Sequence, residues 1–234
     1  MFAVGSLARL FYGLGANHRS DGPIAGPNPL SQNDPRMIDH YRTLAAFAES
    51  RQKVERSEFL GVAFPMETED AFFAELAMLT KRHFDATHLC WAFRLFANGA
   101  IRTRSADAGE PSGTAGRPIL SAIEGAGLYD VAVVVVRWYG GVKLGTGGLS
   151  RAYRQTAVET LQGASLADRY VYKRFRIVVP FDRLNVVYRL LSAPDVVLVA
   201  EHFGETNEFE IDVRATGADD FAKTLIEKRI ALAS

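Results

Sequence analysis

The clearest pattern in the chain is an apolar run, Val131 to Val136, that Arg137 ends. A valine-rich run with no polar position predicts a strand buried on both faces, extending to Trp138. Strict alternation of apolar and polar residues between positions 207 and 215 instead predicts a strand with one exposed face. The same criteria predict further strands at 58–64, 87–96, 100–104, 172–180 and 196–203.

Apolar positions spaced three or four residues apart predict helices between these strands. A helix at 68–83 carries Phe72, Leu76 and Leu79 on one side, with acidic residues in its first turn and basic residues in its last. That order of charges stabilises the helix, because each charge interacts favourably with the nearer end of the helix dipole. Pro118 is predicted to be the first residue of a second helix, which Gly125 ends. Further helices are predicted at 149–161, 182–192 and 218–229.

This order of elements predicts a mixed α/β (α+β) protein with two domains. Residues 1–36 are predicted to be a disordered extension, because positions 20–35 are rich in proline, glycine, serine and asparagine. They either form a flexible tail or precede a native start at Met37. The first domain is predicted at 37–167. Strand, helix, strand, strand, helix then predict a smaller ferredoxin-like βαββα domain at 168–234, with its last strand missing or truncated.

Composition narrows the classes of function. The chain has 27 basic and 27 acidic residues, so binding to nucleic acid would require a local basic patch. Its one cysteine excludes an intramolecular disulfide, and its scattered histidines lack ligand spacing, so neither a metal site nor a cofactor is predicted. No apolar run is long enough to span a bilayer, and no signal peptide is evident. We therefore expect a cytoplasmic protein without membrane contact.

The segment 137–154, RWYGGVKLGTGGLSRAYR, carries the most chemical information. A strand leads through the glycine-rich loop 140–148 into a helix, and unpaired backbone N–H groups at such a helix start bind anions, usually phosphate. Interleaved aromatic residues are typical of a surface on which bases stack. The spacing matches neither the dinucleotide nor the Walker A fingerprint, and tight packing is the alternative interpretation. The basic residues of this segment are Arg137, Lys143, Arg151 and Arg154.

A second glycine-rich loop, GEPSGTAGRP at 109–118, offers the hydroxyls of Ser112 and Thr114 and the cation of Arg117. Glu110 is its only carboxylate. One hypothesis makes Glu110 a general base or a ribose contact beside an anion site. The alternative makes it a loop residue that bonds backbone amides. The structural interpretation of Glu110 is favoured, because the sequence offers no further carboxylate or set of metal ligands that would complete a catalytic mechanism.

Two further groups of residues are candidate sites. His88 and Cys90 share one strand face, so a Cys/His dyad is conceivable, although a free cysteine is more often buried packing. His88 alone is a candidate site-lining residue. A second basic run could extend the first patch or cover an exposed sheet face, and it comprises Arg169, Lys173, Arg174 and Arg176.

The segments GEPSGTAGRPIL (109–120) and RWYGGVKLGTGGLSRAY (137–153) resemble the signature of the IMPACT family, in its bacterial YigZ branch. Ala-Thr-His at 86–88 and Ala-Phe-Arg at 92–94 belong to the same resemblance. It implies a ribosomal-protein-like two-layer α/β fold for the first domain and a C-terminal domain similar to domain V of elongation factor G. The sequence departs from the family at Ala108, where a second aspartate is usual.

The resemblance implies a translation regulator that binds RNA, the ribosome or a translation-associated protein, and an enzyme is less expected. The alternatives are a small-molecule phosphotransferase or hydrolase, with Glu110 and His88 as candidate catalytic residues, and a protein-binding module that uses the ferredoxin-like sheet. Phosphate or another anion is the ligand expected at the two glycine-rich loops. The candidate binding residues are His88, Arg94, Asp107, Glu110, Ser112, Thr114, Arg117, Arg137, Lys143, Gly147, Gly148, Arg151 and Arg154.

Overall fold

The computed structural model describes residues 39–97 and 99–232, so the predicted extension 1–36 lies outside the described residues. The strands are β1 (His40–Leu44), β2 (Ala48–Val54), β3 (Ser57–Pro65), β4 (His88–Ala97), β5 (Ala100–Ala106), β6 (Val131–Trp138), β7 (Leu166–Tyr170), β8 (Tyr172–Val179), β9 (Val196–His202), β10 (Asn207–Arg214) and β11 (Ala231–Leu232). The helices are α1 (Glu69–Arg82), α2 (Gly116–Gly125), α3 (Gly145–Gln162), α4 (Leu184–Leu191) and α5 (Ala218–Glu227). No helix among these residues is long and apolar enough to cross a membrane.

A five-stranded antiparallel sheet, in the order β2-β3-β6-β4-β5, forms the larger part of the fold. The central strand β6 is buried on both faces, as its apolar run predicts. Val131, Val133 and Val135 pack on the side of α2 and α3, whereas Val134 and Val136 pack on the side of α1. The mixed α/β class is confirmed. Helix α1 packs on one face of this sheet, and α2 and α3 pack on the other.

Two helices begin earlier than the sequence pattern predicts. Helix α2 starts at Gly116, so that Pro118 is its third residue, and α3 starts inside the glycine-rich loop, at Gly145. Helix α3 also lies unusually close to the sheet, because a Cβ at Gly61 of β3 would be 2.0 Å from the Thr160 hydroxyl. Close packing of this kind fixes the position of α3 on the sheet, and with it the backbone positions from which its basic side chains extend.

The C-terminal sheet has the order β11-β8-β10-β9 and is antiparallel throughout. Helices α4 and α5 pack on one of its faces, around Phe175, Ile177 and Phe209. Strand β11 is two residues long, which agrees with the predicted truncation of the last ferredoxin-like strand.

A two-stranded sheet of β1 and β7 joins the two parts, and the sequence pattern did not predict it. Both strands are five residues long and mix polar with apolar residues, so neither shows the apolar alternation that would predict a strand. Arg214 strengthens this junction by binding Asp39 at 3.3 Å and Asp195 at 2.9 Å. The predicted domain boundary at residue 168 falls inside β7 and stays a prediction.

Candidate functional site

The two glycine-rich segments meet at one end of the large sheet, where α2 and α3 contact each other. Strand pairing sets His88 of β4 opposite Arg137 of β6, and Phe59 of β3 pairs with Arg137 from the other side. The loop that carries Glu110 closes over this end of the sheet. The sequence thus brings together residues that are far apart along the chain.

Glu110 and Arg137 form an ion pair in the interior. Arg137 Nη1 donates to Glu110 Oε1 at 2.5 Å, and the two side chains are 5% and 4% exposed. The Tyr153 hydroxyl donates to the same carboxylate oxygen at 2.7 Å, and Arg137 Nη2 donates to the Ser57 hydroxyl at 3.1 Å. We call these four residues, with His88, the buried polar cluster. Arg137 therefore does not present its charge at the surface.

His88 lies at the edge of the buried polar cluster. Its Nε2 is 4.0 Å from Glu110 Oε1, and its side chain is 20% exposed. Its Nδ1 lies 3.0 Å from the carbonyl oxygen of Ala108, and this nitrogen must be the donor because a carbonyl only accepts. This hydrogen bond fixes the ring, with Nε2 directed towards the carboxylate.

Cys90 does not form the conceivable dyad with His88. Its thiol donates to the Asp107 carbonyl at 2.9 Å. Burial raises the pKa of the Cys90 thiol to about 12, so it stays protonated at neutral pH. Burial also raises the pKa of Tyr153, which keeps its hydroxyl available as a donor to Glu110. Cys90 is therefore a packing residue of the core.

Asp107 fills the anion site of the first glycine-rich loop. Its carboxylate accepts hydrogen bonds from the backbone N–H groups of Gly113 at 2.7 Å, Ala115 at 2.9 Å and Gly116 at 2.8 Å. Burial alone would raise the pKa of Asp107, but these three donors outweigh it and hold the pKa below its ordinary value. The loop is thus closed by its own side chain, and no phosphate is needed there.

The hydroxyl groups of the first loop are placed differently from each other. Thr114 is buried and donates to the Pro111 carbonyl at 2.7 Å, whereas Ser112 is exposed. Arg117 projects into solvent from the first turn of α2. Among the hydroxyl and cationic side chains of this loop, Ser112 and Arg117 are therefore exposed to a ligand from solution.

The second glycine-rich loop is open where the first is closed. The residue before α3, Leu144, supplies no capping side chain, and the first turn, which includes Gly147 and Gly148, contains no acid. Glycine at position 140 lets this loop lie directly against the β2–β3 turn. Any other residue would place its Cβ 1.9 Å from the carbonyl oxygen of Arg56. No side chain of the N-cap residue therefore accepts a hydrogen bond from the first N–H groups of α3, which stay available as donors.

Four exposed cations surround the start of α3 and form what we call the basic surface. A cleft of about 650 Å³ separates β2 from α3, and a second of about 360 Å³ separates α2 from α3; Arg151 and Arg154 line both. Within residues 39–97 and 99–232, no ion pair involves any of the four. The four are Arg117, Lys143, Arg151 and Arg154.

Arg94 lies apart from these groups. It is at the opposite end of β4 from His88, with its guanidinium 3.8 Å from the centre of the Tyr129 ring. The second basic run is neutralised by acids: Arg174 binds Asp212 through two hydrogen bonds, of 2.8 and 2.9 Å, and Arg176 binds Glu210 at 2.9 Å. This run therefore covers an exposed sheet face and does not extend the basic surface.

Sequence reasoning missed two members of the site. A single serine at the start of a strand gives no signal of its own, so Ser57 was not singled out. Tyr153 was considered only as an aromatic that bases could stack on, yet it is fully buried and bonds Glu110. Among the described residues, no group of three His, Cys, Asp or Glu side chains is arranged to hold a metal ion.

Comparison with known proteins places these residues in one family signature. Residues 55–161 match the family model of the Impact N-terminal domain. The chain is 31% identical over 191 residues to IMPACT family member YvyE of Bacillus subtilis, covering 82% of this chain and 88% of that protein. It is 44% identical over 140 residues to the IMPACT family member in pol 5'region of Thermus thermophilus, covering 60% and 74%.

A solved structure shares this architecture over most of its length. It is a crystal structure of a hypothetical protein, with a TM-score of 0.62 and 25% sequence identity. The alignment covers 85% of this chain and 98% of that chain. The similarity therefore includes both the five-stranded sheet and the C-terminal sheet.

Proposed function

The chain belongs to the IMPACT family, and from this premise we propose that it is a translation regulator that binds RNA through the basic surface. The observation that carries the proposal is the group of four exposed cations that no described acid pairs with. Phosphate groups are the partners that such a surface binds most strongly, because binding releases their condensed counterions. In this proposed role the protein acts in the cytoplasm, where translation takes place.

The basic surface is a local feature of a chain with no net charge. Several other exposed arginines are paired, such as Arg51 with Glu58 at 2.6 Å and Arg104 with Glu69 at 2.8 Å. Pairing of this kind cancels the field of each cation at a distance. The field of the four unpaired cations therefore dominates around α3 and attracts a polyanion to that place.

The start of α3 supports the same proposal. Backbone N–H groups at 145–148 point out of the helix, and no carboxylate occupies them as Asp107 occupies those of α2. A phosphate at this position would accept hydrogen bonds from these N–H groups and would lie close to Lys143 and Arg151. Glycine at 147 and 148 keeps side chains away from such an approach.

The enzyme hypothesis receives less support from the geometry. A general base needs access to substrate, but the Glu110 side chain is only 4% exposed, and its Oε1 is held by Arg137 and Tyr153. The buried polar cluster instead connects the two glycine-rich segments to the sheet. We propose that its role is to hold the basic surface in position.

The experiment is RNA binding by the full chain, measured by fluorescence anisotropy with labelled single-stranded and duplex RNA across a salt series. We expect Arg151→Ala/Arg154→Ala to weaken binding at least tenfold. Its log–log salt slope should fall by roughly 1.4, since each phosphate contact to single-stranded RNA contributes about 0.7.

The matched control is Arg174→Ala/Arg176→Ala, which removes the same charge from an exposed face where both arginines are paired. It should leave both affinity and slope nearly unchanged. Absence of RNA binding at low salt, or equal losses in the two double variants, would overturn the proposal.

A further inference from the structure

The larger cleft beside the basic surface has the size and lining of a small-molecule site. Its volume of about 650 Å³ lies within the roughly 300–1,000 Å³ that is usual for ligand pockets. Val54, Val142 and Leu144 provide apolar walls, and the rest of the lining is largely polar or charged, with Gln52, Glu55 and Gln155 beside the cations Lys143, Arg151 and Arg154. Apolar walls beside hydrogen-bonding and cationic groups match a flat ring with polar edges and an attached phosphate better than they match a bare phosphate.

Local structure makes the walls of this cleft rigid. The Gln52 amide donates to the Ala152 carbonyl at 2.8 Å and also to the Thr156 hydroxyl, which ties β2 to α3 across the floor of the cleft. Glu55 has a positive φ of 54° in the tight β2–β3 turn. The neighbouring residue, Arg56, is packed against Gly140, so the turn and the second glycine-rich loop are held together.

Glu55 needs an explanation, because a carboxylate repels the phosphates that the adjacent cations attract. It becomes useful if it accepts hydrogen bonds from a base. Guanine presents two adjacent donors, N1–H and the N2 amino group, to the two oxygens of a carboxylate. Adenine and cytosine place an acceptor nitrogen beside their amino group, and uracil places carbonyl oxygens on both sides of its N–H, so each of these pairs less well.

We infer, resting on the proposed function, that the cleft takes one unpaired guanine of the bound RNA, with Glu55 accepting from its Watson–Crick edge. The guanine ring packs between the apolar walls, and the backbone phosphates next to this nucleotide lie on Lys143, Arg151 and Arg154. Duplex RNA does not offer this edge, since its bases are paired and stacked. The ligand class is therefore single-stranded RNA.

The test compares oligouridine that contains one central guanosine with plain oligouridine and with a duplex, using anisotropy and the full chain. We expect the guanosine to raise affinity at least fivefold in the wild-type protein. Glu55→Gln should reduce this preference to less than twofold, because an amide offers one acceptor where the carboxylate offers two. The same variant should retain salt-dependent binding of oligouridine.

A second variant keeps the inference testable by blocking the space itself. Gln155→Trp places a large ring in the cleft from an exposed position on α3, and it should abolish the guanosine preference. Gln162→Trp adds the same ring at an exposed position at the end of α3, outside the cleft, and should not change it. Thermal unfolding of both variants checks that the fold is retained.

The outcomes separate this inference from the proposed function. Two outcomes overturn the inference and leave the proposed function standing. In the first, RNA binding depends on salt but is the same with and without guanosine; in the second, Gln155→Trp keeps the preference for guanosine. A preference for another base overturns it in the same way. Failure to bind any RNA overturns both.

Discussion

Replacing Arg137 by methionine removes the cation of the buried polar cluster and keeps a side chain of similar length. In the native protein Arg137 donates to Glu110 and to Ser57, and both charged side chains are almost wholly buried. The variant leaves the Glu110 carboxylate in the interior, with Tyr153 as its remaining donor among the described residues. The perturbation therefore isolates the cost of an unpaired buried charge.

Removing one partner of a buried ion pair costs about 3–5 kcal/mol, because the other charge keeps its desolvation penalty and loses its counterion. A domain is stable by only about 5–15 kcal/mol, so Arg137→Met should bring the five-stranded sheet close to unfolding. Glu110→Gln/Arg137→Met removes both charges of this ion pair. It should therefore be less destabilised than the sum of its two single variants.

Urea denaturation followed by tryptophan fluorescence measures this effect. Both tryptophans of the chain, Trp91 and Trp138, belong to the five-stranded sheet, so the signal reports on that part of the fold. Arg151→Met is the control, since this arginine is exposed and should cost less than about 0.5 kcal/mol. A loss below about 1 kcal/mol in Arg137→Met would refute the structural role of the cluster.

Three further predictions follow from the loop before α2 and from the single cysteine. Asp107→Ala should destabilise the protein by about 1–2 kcal/mol in the same urea assay, because three backbone donors lose their acceptor, and Asp107→Asn should lose less. Since the folded state lowers the pKa of Asp107, its contribution is complete above the unfolded value of about 3.9 and disappears as the pH falls through the lower folded value. Denaturation between pH 2 and 6 should show this dependence, and its persistence in Asp107→Asn would contradict the assignment. Ala108→Gly should raise stability by up to about 1 kcal/mol, because Ala108 has a φ of +43°, and a lower melting temperature would contradict that conformation. Finally, the buried Cys90 thiol should resist iodoacetamide at pH 8 in the folded protein and react after unfolding in urea, so rapid labelling of the native protein would refute its burial.

Local patterns in the sequence were enough to predict most of the elements. The valine run of β6 and the apolar stripe and terminal charges of α1 are properties of neighbouring residues, and both elements lie where those patterns predict them. Strands β1, β2 and β7 escaped prediction, because their mainly polar sequences show no apolar alternation and each depends on its partner strand. For β1 and β7 the partner is about 130 residues away.

The candidate site depended on contacts that no local pattern contains. Both glycine-rich loops have the composition of an anion site, yet the structure fills one with Asp107 and leaves the start of α3 open. Arg137 and Arg151 look alike in the sequence, but the first is paired with Glu110 inside the protein and the second is exposed. The sequence by itself determined which residues could carry charge and where most of the helices and strands would form. Whether a charged residue is structural or available for binding depends on its burial and on its ion-pair partners. Only the tertiary structure decided both, because they result from contacts between residues that are distant along the chain.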